Sequence, residues 1–400
     1  MGKKKLTVFS VFTFLILFAT VFLQSVSVAS AGPLDGWVKT YGGIDRYTSS
    51  ESIIQTSDGG YAIAGMDEGF GALLLKTDSY GNMEWNQTYA GDGALSLIET
   101  SDTGYALIVG TRLIKTNQYG LVEWNRTLLG GTEAHSLIQA NDNGYVVAGY
   151  SGDYFWLSKT DEQGYNSWSK TFETVTAGRA NSVIQTSDGG YALLGHSNFN
   201  PDFLLVKTDS LGELEWSKKY EKPDIDLGWS LVQEGDGGYV LAGMLWNRNE
   251  TDNNAGLIKT DSNGNMLWMK NYHGGTPLSM IRTSDGDYIL CSGVTLVKTD
   301  YEGNMLWTKG LDLPNDVSVA QTHSVIQTND NGYVITGTGS PQSSDGQPTG
   351  ISYAWIAKTD PEGIIPEFPS WTPLIISGLL ATFMVSIVYR LKINKDRKNE

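Results

Sequence analysis

One short motif recurs seven times along the 400-residue chain and constrains its fold more than any other feature. The first copy reads SIIQTSDGGYAIAG (52–65), and each copy is followed by a second motif of the type LLLKTDSYGNMEW (73–85). The tyrosine of the first motif recurs at intervals of 44, 40, 46, 48, 49 and 45 residues, at Tyr61, Tyr105, Tyr145, Tyr191, Tyr239, Tyr288 and Tyr333. A period of this length indicates an array of similar units, each packed on its neighbours.

Each unit contains four strand-length segments separated by turn signals. SIIQ and GYAIAG flank an Asp-Gly or Asn-Gly pair, which supplies the positive φ of a tight hairpin. LLLKT and the tryptophan-containing segment flank Asp-x-x-Gly, in which the aspartate accepts hydrogen bonds from backbone amides and the glycine takes the left-handed corner. Four strands in a unit of this length are typical of one blade of a β-propeller. An open β-solenoid is the alternative.

The chain begins with half of a unit. Residues 35–43 read DGWVKTYGG, a fourth-strand segment with no first three strands before it, and the seventh unit has Glu367 where the other units have tryptophan. If the N-terminal segment supplies the outer strand of the last blade, the sequence predicts an all-β domain over 32–365: a seven-bladed propeller of four-stranded blades closed by the N-terminal strand. Closure in one sheet protects strand edges from aggregation. An open solenoid would not need a displaced half unit.

The N-terminus has the layout of a secretory signal peptide. Lys3, Lys4 and Lys5 precede an apolar run, and small residues end at Ala31. A basic start, an apolar run and a small-residue cleavage site define such peptides. We therefore expect residues 1–31 to be a signal peptide that is removed on export.

The C-terminus has the layout of a membrane anchor. Residues 366–370 form a Pro-containing linker, residues 371–389 carry no charge, and residues 390–400 are basic. At about 1.5 Å per residue an uncharged stretch of this length spans the roughly 30 Å hydrocarbon layer, and the basic tail should remain in the cytoplasm. The expected protein is a single-pass membrane protein with its N-terminal domain outside the cell. A buried core helix is the alternative for 371–389.

The exported domain is strongly acidic. Without the two terminal segments the chain retains 20 Lys+Arg against 42 Asp+Glu, a net charge of about −22. Such a surface repels phosphate backbones, so we expect no nucleic acid partner, whereas cations or a partner with basic patches fit better. The single cysteine, Cys291, excludes an internal disulfide and is expected in a buried strand.

The motifs resemble those of known exported proteins. SxIQTxDGGY followed by KTDxxGNxxW resembles a repeat of exported, uncharacterised propellers of archaea and bacteria, and is distantly similar to quinoprotein-type propellers. That likeness implies a propeller over about 35–363. In the quinoproteins a vicinal cysteine pair and calcium ligands mark the cofactor site; with one cysteine here, we expect no cofactor, and only calcium is left open. The segment from Ile365 to Trp371 resembles archaeal PEF-type anchors, which implies a location at the cell surface.

The variable links between strands indicate where a ligand site would lie. The links after each Gly of the first motif and before each Ser share one face, which we call the loop face, and function is commonly carried by loops on a rigid scaffold. Aromatic residues beside Asp and Asn suit a glycan or a peptide. Candidate ligand-binding residues are Tyr47, His135, Tyr154, His196, Asp226, Trp229, Trp246, Asn247 and His323, with Asp45, Arg46, Phe70 and Asp153 as further loop-face residues.

Two histidines raise the question of a metal. His135 and His323 each precede the first-strand serine, so both are expected near the channel mouth, where they would either share a metal or form hydrogen bonds. We expect hydrogen bonds and no metal site. Three Asn-x-Thr sequons, at Asn86, Asn125 and Asn249, are candidate glycosylation sites, the first two on outer strands.

Three functions compete at this point. No phosphate-binding loop, metal motif or nucleophile constellation is visible. The leading hypothesis is therefore a non-catalytic, surface-anchored propeller that binds a glycan, an envelope component or a protein through the loop face. The alternative is an extracellular carbohydrate-active or quinoprotein-like enzyme. A third possibility is a coat component that assembles only with itself.

Overall fold

A computed structural model describes the chain between residues 36 and 365, apart from short gaps. The described residues are 36–42, 46–198, 201–221, 226–245, 254–273, 275, 277–311, 313, 319–340 and 351–365. In these ranges all regular elements are strands, 28 in number, and they form seven four-stranded antiparallel sheets. The expected all-β propeller of four-stranded blades is confirmed.

The strands follow one another blade by blade. The N-terminal strand is β1 (Trp37–Tyr41). Blades one to three consist of β2 (Thr48–Gln55), β3 (Tyr61–Asp67), β4 (Gly71–Thr77) and β5 (Met83–Tyr89); β6 (Ala94–Glu99), β7 (Tyr105–Val109), β8 (Arg112–Thr116) and β9 (Val122–Thr127); and β10 (Glu133–Gln139), β11 (Tyr145–Ser151), β12 (Tyr154–Thr160) and β13 (Asn166–Thr171).

Blades four to six repeat the pattern. They consist of β14 (Gly178–Gln185), β15 (Tyr191–Ser197), β16 (Phe203–Thr208) and β17 (Leu214–Tyr220); β18 (Asp226–Gln233), β19 (Tyr239–Leu245), β20 (Asn254–Thr260) and β21 (Met266–His273); and β22 (Pro277–Arg282), β23 (Tyr288–Ser292), β24 (Thr295–Thr299) and β25 (Met305–Gly310). The last three strands are β26 (Val319–Gln327), β27 (Tyr333–Ser340) and β28 (Tyr353–Thr359).

The seventh blade is completed by the N-terminus. Its strand order is β1-β28-β27-β26, with Trp37 opposite Lys358 and Tyr41 opposite Ala354. The first strand of each blade contacts the first strands of its two neighbours, including β2 with β26, so the seven inner strands form a closed ring. The prediction drawn from DGWVKTYGG is confirmed, and the open solenoid is excluded.

The repeated turns form as their composition predicts. In the second hairpin of blade one, Asp78 Oδ1 accepts hydrogen bonds from the backbone amides of Tyr80 (2.9 Å) and Asn82 (2.8 Å). Gly81 in the same turn has φ +74°, a conformation that disfavours a side chain. The turns between the first two strands of each blade lie on the same face as these turns. We call this face the turn face.

The ammonium group of a repeated lysine lies at the turn face of the blades. The side chain of Lys76 is 4% exposed, and its ammonium group contacts Asp58 (2.8 Å), Glu84 (3.0 Å) and the carbonyl of Thr77 (2.9 Å). The same arrangement recurs around Lys115 and Lys207. A buried ammonium ion must be paired in this way, since desolvation would otherwise cost several kcal/mol. The lysine of the KTD motif is therefore a structural link between the two hairpins of a blade.

The expected burial of the cysteine is confirmed, whereas the expected terminal segments lie on residues that the structure does not describe. Cys291 is fully buried in β23, as expected, and burial raises the pKa of its thiol to about 11. The predicted signal peptide (1–31), linker (366–370), anchor (371–389) and tail (390–400) lie outside the described residues. No helix in the described part of the chain has the length and apolar character needed to cross a membrane.

Candidate functional site

Every inner strand carries one bulged residue near the loop face. The pairing of first and second strands skips one residue in each blade, immediately before the repeated serine. A bulge leaves the extra residue unpaired and turns its side chain in a new direction. The seven bulged residues are Glu51, Leu95, His135, Asn181, Trp229, Leu278 and His323. Three of them, His135, Trp229 and His323, are sequence-predicted site residues.

The two predicted histidines make the same contact in different blades. His135 Nδ1 lies 3.0 Å from the carbonyl oxygen of Ala180, and His323 Nδ1 lies 2.6 Å from that of Ser50, each in the next blade. A carbonyl oxygen only accepts, so Nδ1 carries a proton in both rings. Among the described residues, no group of three or more His, Cys, Asp or Glu is placed to hold a metal ion.

A cluster of polar and aromatic side chains surrounds His135. Its ring centroid is 5.7 Å from that of Tyr150, whose hydroxyl donates to Glu133 Oε2 (2.7 Å). The guanidinium of the exposed Arg179, in the next blade, lies 4.5 Å from the centre of the Tyr150 ring. Arg179 forms no ion pair with any carboxylate that the structure describes, so this stacked cation keeps its donors available.

The cluster continues into blades four and five through Asn181. Its amide donates to the carbonyl of Gly228 (2.8 Å) and to Nδ1 of His196 (3.2 Å), which uses both amide hydrogens. The His196 ring lies 6.0 Å from the ring of Trp229. Trp229 Nε1 is buried and has no hydrogen-bond partner within the described part of the chain. We call these residues the mouth cluster: Glu133, His135, Tyr150, Arg179, Asn181, His196 and Trp229.

His196 is a neutral member of the mouth cluster. Burial, together with smaller contributions from the charge of Arg179 and from the nearby His135, lowers its pKa to about 4. An imidazole with this pKa is uncharged at neutral pH. The mouth cluster therefore offers the cation Arg179 and the carboxylate of Glu133, next to the neutral imidazole of His196, an amide and aromatic faces.

The remaining predicted residues lie elsewhere. Tyr47 is at the seam of blades one and seven, where its amide donates to Glu68 Oε2 (3.2 Å). Beside it Arg46 pairs with Asp67 (3.0 Å) and stacks over the exposed Phe70 at 4.8 Å.

The other candidates have different environments or lie outside the described residues. Tyr154 begins β12 and is partly buried, and the carbonyl of Asp153 accepts from the Gly178 amide (2.6 Å). Asp226, expected on the loop face, is 1% exposed at the start of β18, so it lies inside the protein and its role stays a prediction. Asp45, Trp246, Asn247 and the sequon residue Asn249 lie outside the described residues.

The two other sequon asparagines are accessible. Asn86 in β5 and Asn125 in β9 are exposed on outermost strands, as are Thr88 and Thr127 two positions on. This accessibility is what a glycosylation acceptor requires, and the modification itself stays a prediction.

Sequence reasoning missed four members of the mouth cluster: Glu133, Tyr150, Arg179 and Asn181. One signal was available for Asn181, since the residue before the repeated serine varies between units while the serine does not. Nothing in the motifs marks Tyr150 or Arg179, because they meet only across the interface of two blades.

The comparisons with known proteins address the fold. No family model and no curated protein matches the chain. Among solved structures, the WD40 domain of Neurospora crassa Pan2 has a TM-score of 0.58 at 9% identity and covers 83% of this chain and 97% of its own. A streptogramin B lyase gives 0.56 at 10% identity, with 81% and 98% covered. The WD40 β-propeller domain of Doa1 gives 0.55 at 13% identity, with 80% and 95% covered. The chain is thus a seven-bladed β-propeller with distant structural similarity to WD40 domains and to lyase-type propellers.

Proposed function

We infer that this protein is a binding module that holds its ligand at the mouth cluster on the loop face. The observation that supports this most strongly is the convergence of three predicted residues, His135, His196 and Trp229, which belong to blades three, four and five. Beside them lie the exposed Arg179 and the indole N–H of Trp229, for which the described part of the chain provides no ion pair and no hydrogen bond, respectively. A ligand can form hydrogen bonds with polar groups whose hydrogen-bonding capacity is not used within the protein.

The composition of the mouth cluster indicates the ligand chemistry. Trp229 and Tyr150 provide aromatic faces on which a sugar ring or an apolar side chain can pack. Arg179 provides a planar set of donors for a carbonyl, hydroxyl or carboxylate oxygen. A glycan, an envelope component or a segment of a partner protein has this combination of groups. The net charge of the domain disfavours polyanions such as nucleic acid.

The proposal places this module at the cell surface. It rests on the sequence of residues 1–31, which reads as an export signal, and of residues 371–389, which reads as an anchor. In that arrangement the propeller is exposed outside the cell. No cofactor is proposed, and calcium is treated as a variable of the binding experiment.

The test is a binding screen with purified full-length protein against a panel of glycans and cell-envelope fractions, with and without calcium. Wild type is compared with Arg179→Ala, with Trp229→Phe, and with Arg46→Ala as matched control. Arg46 is another arginine stacked on an aromatic ring on the loop face, but at the seam of blades one and seven. We expect a ligand whose retention falls at least about 10-fold in Arg179→Ala, as for a central contact residue, and is unchanged in Arg46→Ala.

Three results would contradict the proposal. The first is a ligand that all three variants bind as wild type does, since its site would then lie away from the mouth cluster. The second is turnover of a panel member, which would favour the alternative of an extracellular enzyme. Loss of binding in Arg46→Ala alone would move the site to the seam.

A further inference from the structure

Two clefts open on the turn face, on the side of the ring opposite the mouth cluster. The first lies between blades one and two and has a volume of about 450 Å³. It is lined by the half-buried Trp85 and by Tyr105, whose rings meet edge to face with centroids 5.9 Å apart, and Tyr119 stands at its rim with 60% of its surface exposed. Its polar wall is the Lys76 arrangement with Asp58 and Glu84.

The second cleft repeats the first between blades two and three. Its volume is about 300 Å³, and it is lined by Trp124 and Tyr145, with ring centroids 5.6 Å apart. Lys115 with Asp102 and Glu123 forms its polar wall. These residues occupy the same positions of the repeat as those of the first cleft, so the cleft is a property of the blade interface rather than of one loop.

Each cleft is also lined by a residue other than glycine that has a positive φ. Thr103 in the first cleft has φ 67°, and Asn143 in the second has φ 64°. Four other blades have glycine at this position, namely Gly59, Gly189, Gly237 and Gly286. A β-branched residue at positive φ is a genuine outlier, because its Cβ crowds the backbone. The strain at Thr103 motivates the hypothesis that its side chain has a use, since that side chain faces a cleft.

The chemistry of the clefts selects one class of ligand. In each, the single ammonium group is already neutralised by two carboxylates, so no cation is available for an anion. The side chains of Asp58 and Glu84 are still 60% and 46% exposed and keep acceptor capacity for hydroxyl groups. The half-buried Trp85 and Trp124, and the exposed Tyr119 at the rim of the first cleft, lie beside such acceptors and suit a sugar ring, which presents an apolar face and several hydroxyls.

We propose that the clefts between blades one and two and between blades two and three each bind one ring of a neutral glycan, with Thr103 and Asn143 as contact residues. This site is separate from the mouth cluster and does not depend on it. Two equal sites on consecutive blades bind a multivalent surface far more tightly than a single sugar. Negatively charged sugars are excluded by the surplus of carboxylates.

The experiment measures retention of the full-length protein on surfaces that display mannose, galactose, glucose or N-acetylglucosamine at high and at low density, with glucuronic acid as the charged comparison. The variants are Thr103→Gly, Asn143→Gly and the double variant. Asn331→Gly is the matched control, since Asn331 has φ 65° at the same repeat position but lines neither cleft. Each substitution places glycine at a positive φ, which glycine adopts without steric cost, so thermal unfolding should occur at about the same temperature or higher.

We expect retention on at least one neutral sugar at high density, with a loss of about 10-fold or more in the double variant, because both clefts then lack their contact residue and the gain from multivalency is lost. Each single variant should lose most of the density dependence, and Asn331→Gly and Arg179→Ala should behave as wild type. The proposal is overturned if no neutral sugar retains the protein at high density, if the double variant is retained as wild type is, or if glucuronic acid is retained equally. A loss in Arg179→Ala would also overturn it, because the sugar would then be held at the mouth cluster.

Discussion

The indole of Trp37 packs edge to face against the ring of Tyr61, with centroids 6.0 Å apart and planes at 61°, although Trp37 belongs to the seventh blade and Tyr61 to the first. The same contact joins Trp85 to Tyr105 and Trp216 to Tyr239 at 5.9 and 6.0 Å. The N-terminal strand therefore closes the ring in two ways: by backbone pairing with β28, and by a tryptophan–tyrosine contact that five other blade interfaces also have.

Removing this indole should open the closing interface. We expect Trp37→Ala to lower the free energy of unfolding by about 3 kcal/mol, as for other large-to-small aromatic truncations. Trp124→Ala, which removes the equivalent contact with Tyr145 inside the chain, should cost a similar amount. Urea unfolding measures both. If Trp37→Ala unfolds as wild type does, the N-terminal strand does not carry the closure.

The packing of Trp37 also depends on a glycine. A Cβ on Gly81 would lie 2.5 Å from the Trp37 ring, whereas a Cβ on Gly59 would meet nothing within 4 Å, and both glycines have positive φ. Gly59→Ala should therefore cost only backbone strain, about 1 kcal/mol, whereas Gly81→Ala adds a clash and should cost about 3 kcal/mol. Equal losses of stability in the two variants would mean that the Trp37 ring is not seated on this turn.

The buried lysines predict a response to acid. Burial raises the pKa of Asp58, but hydrogen bonds from Lys76 and Thr56 outweigh it, and the pKa falls to about 2; Lys115 and Thr100 do the same for Asp102. A folded-state pKa below the unfolded value of 3.8 stabilises the fold above that pH, and the contribution is lost as pH falls towards about 2. In Asp58→Asn/Asp102→Asn the melting temperature should fall less steeply over this window than in wild type. If the melting temperature of the double variant falls with pH as steeply as that of wild type, the two aspartates do not cause the loss of stability in acid.

His196 predicts a second, separate pH window. Its pKa of about 4 lies below the ordinary value of 6.5, so on acidification the unfolded chain takes up a proton at this residue before the folded protein does. The free energy of unfolding should therefore fall between about pH 6.5 and pH 4, by at most about 3 kcal/mol. His196→Gln should remove this component. Arg179→Ala should reduce it, since Arg179 contributes to the low pKa. Identical profiles in all three proteins would contradict a buried neutral His196.

The fold was accessible to sequence reasoning because the same local signals occur seven times. The Asp-Gly and Asp-x-x-Gly turns, the tyrosine period and the displaced Trp37 segment all agree on one architecture. The mouth cluster was only partly accessible. His135, His196 and Trp229 stand out as residues that break the repeat, whereas the stacking of Arg179 on Tyr150 arises from how two blades meet. The clefts lined by Thr103 and Asn143 were missed because their side chains belong to turns that read as purely structural.

The most direct test of the mouth cluster is hydrogen exchange of the full-length protein with and without the ligand that the screen identifies. The starts of β10, β14 and β18 carry the bulged residues His135, Asn181 and Trp229, so we predict protection of backbone amides at 133–136, 178–182 and 226–230, and none in Arg179→Ala. Protection confined to the turn face, or to the seam beside Tyr47, would contradict the assignment of the ligand to the mouth cluster.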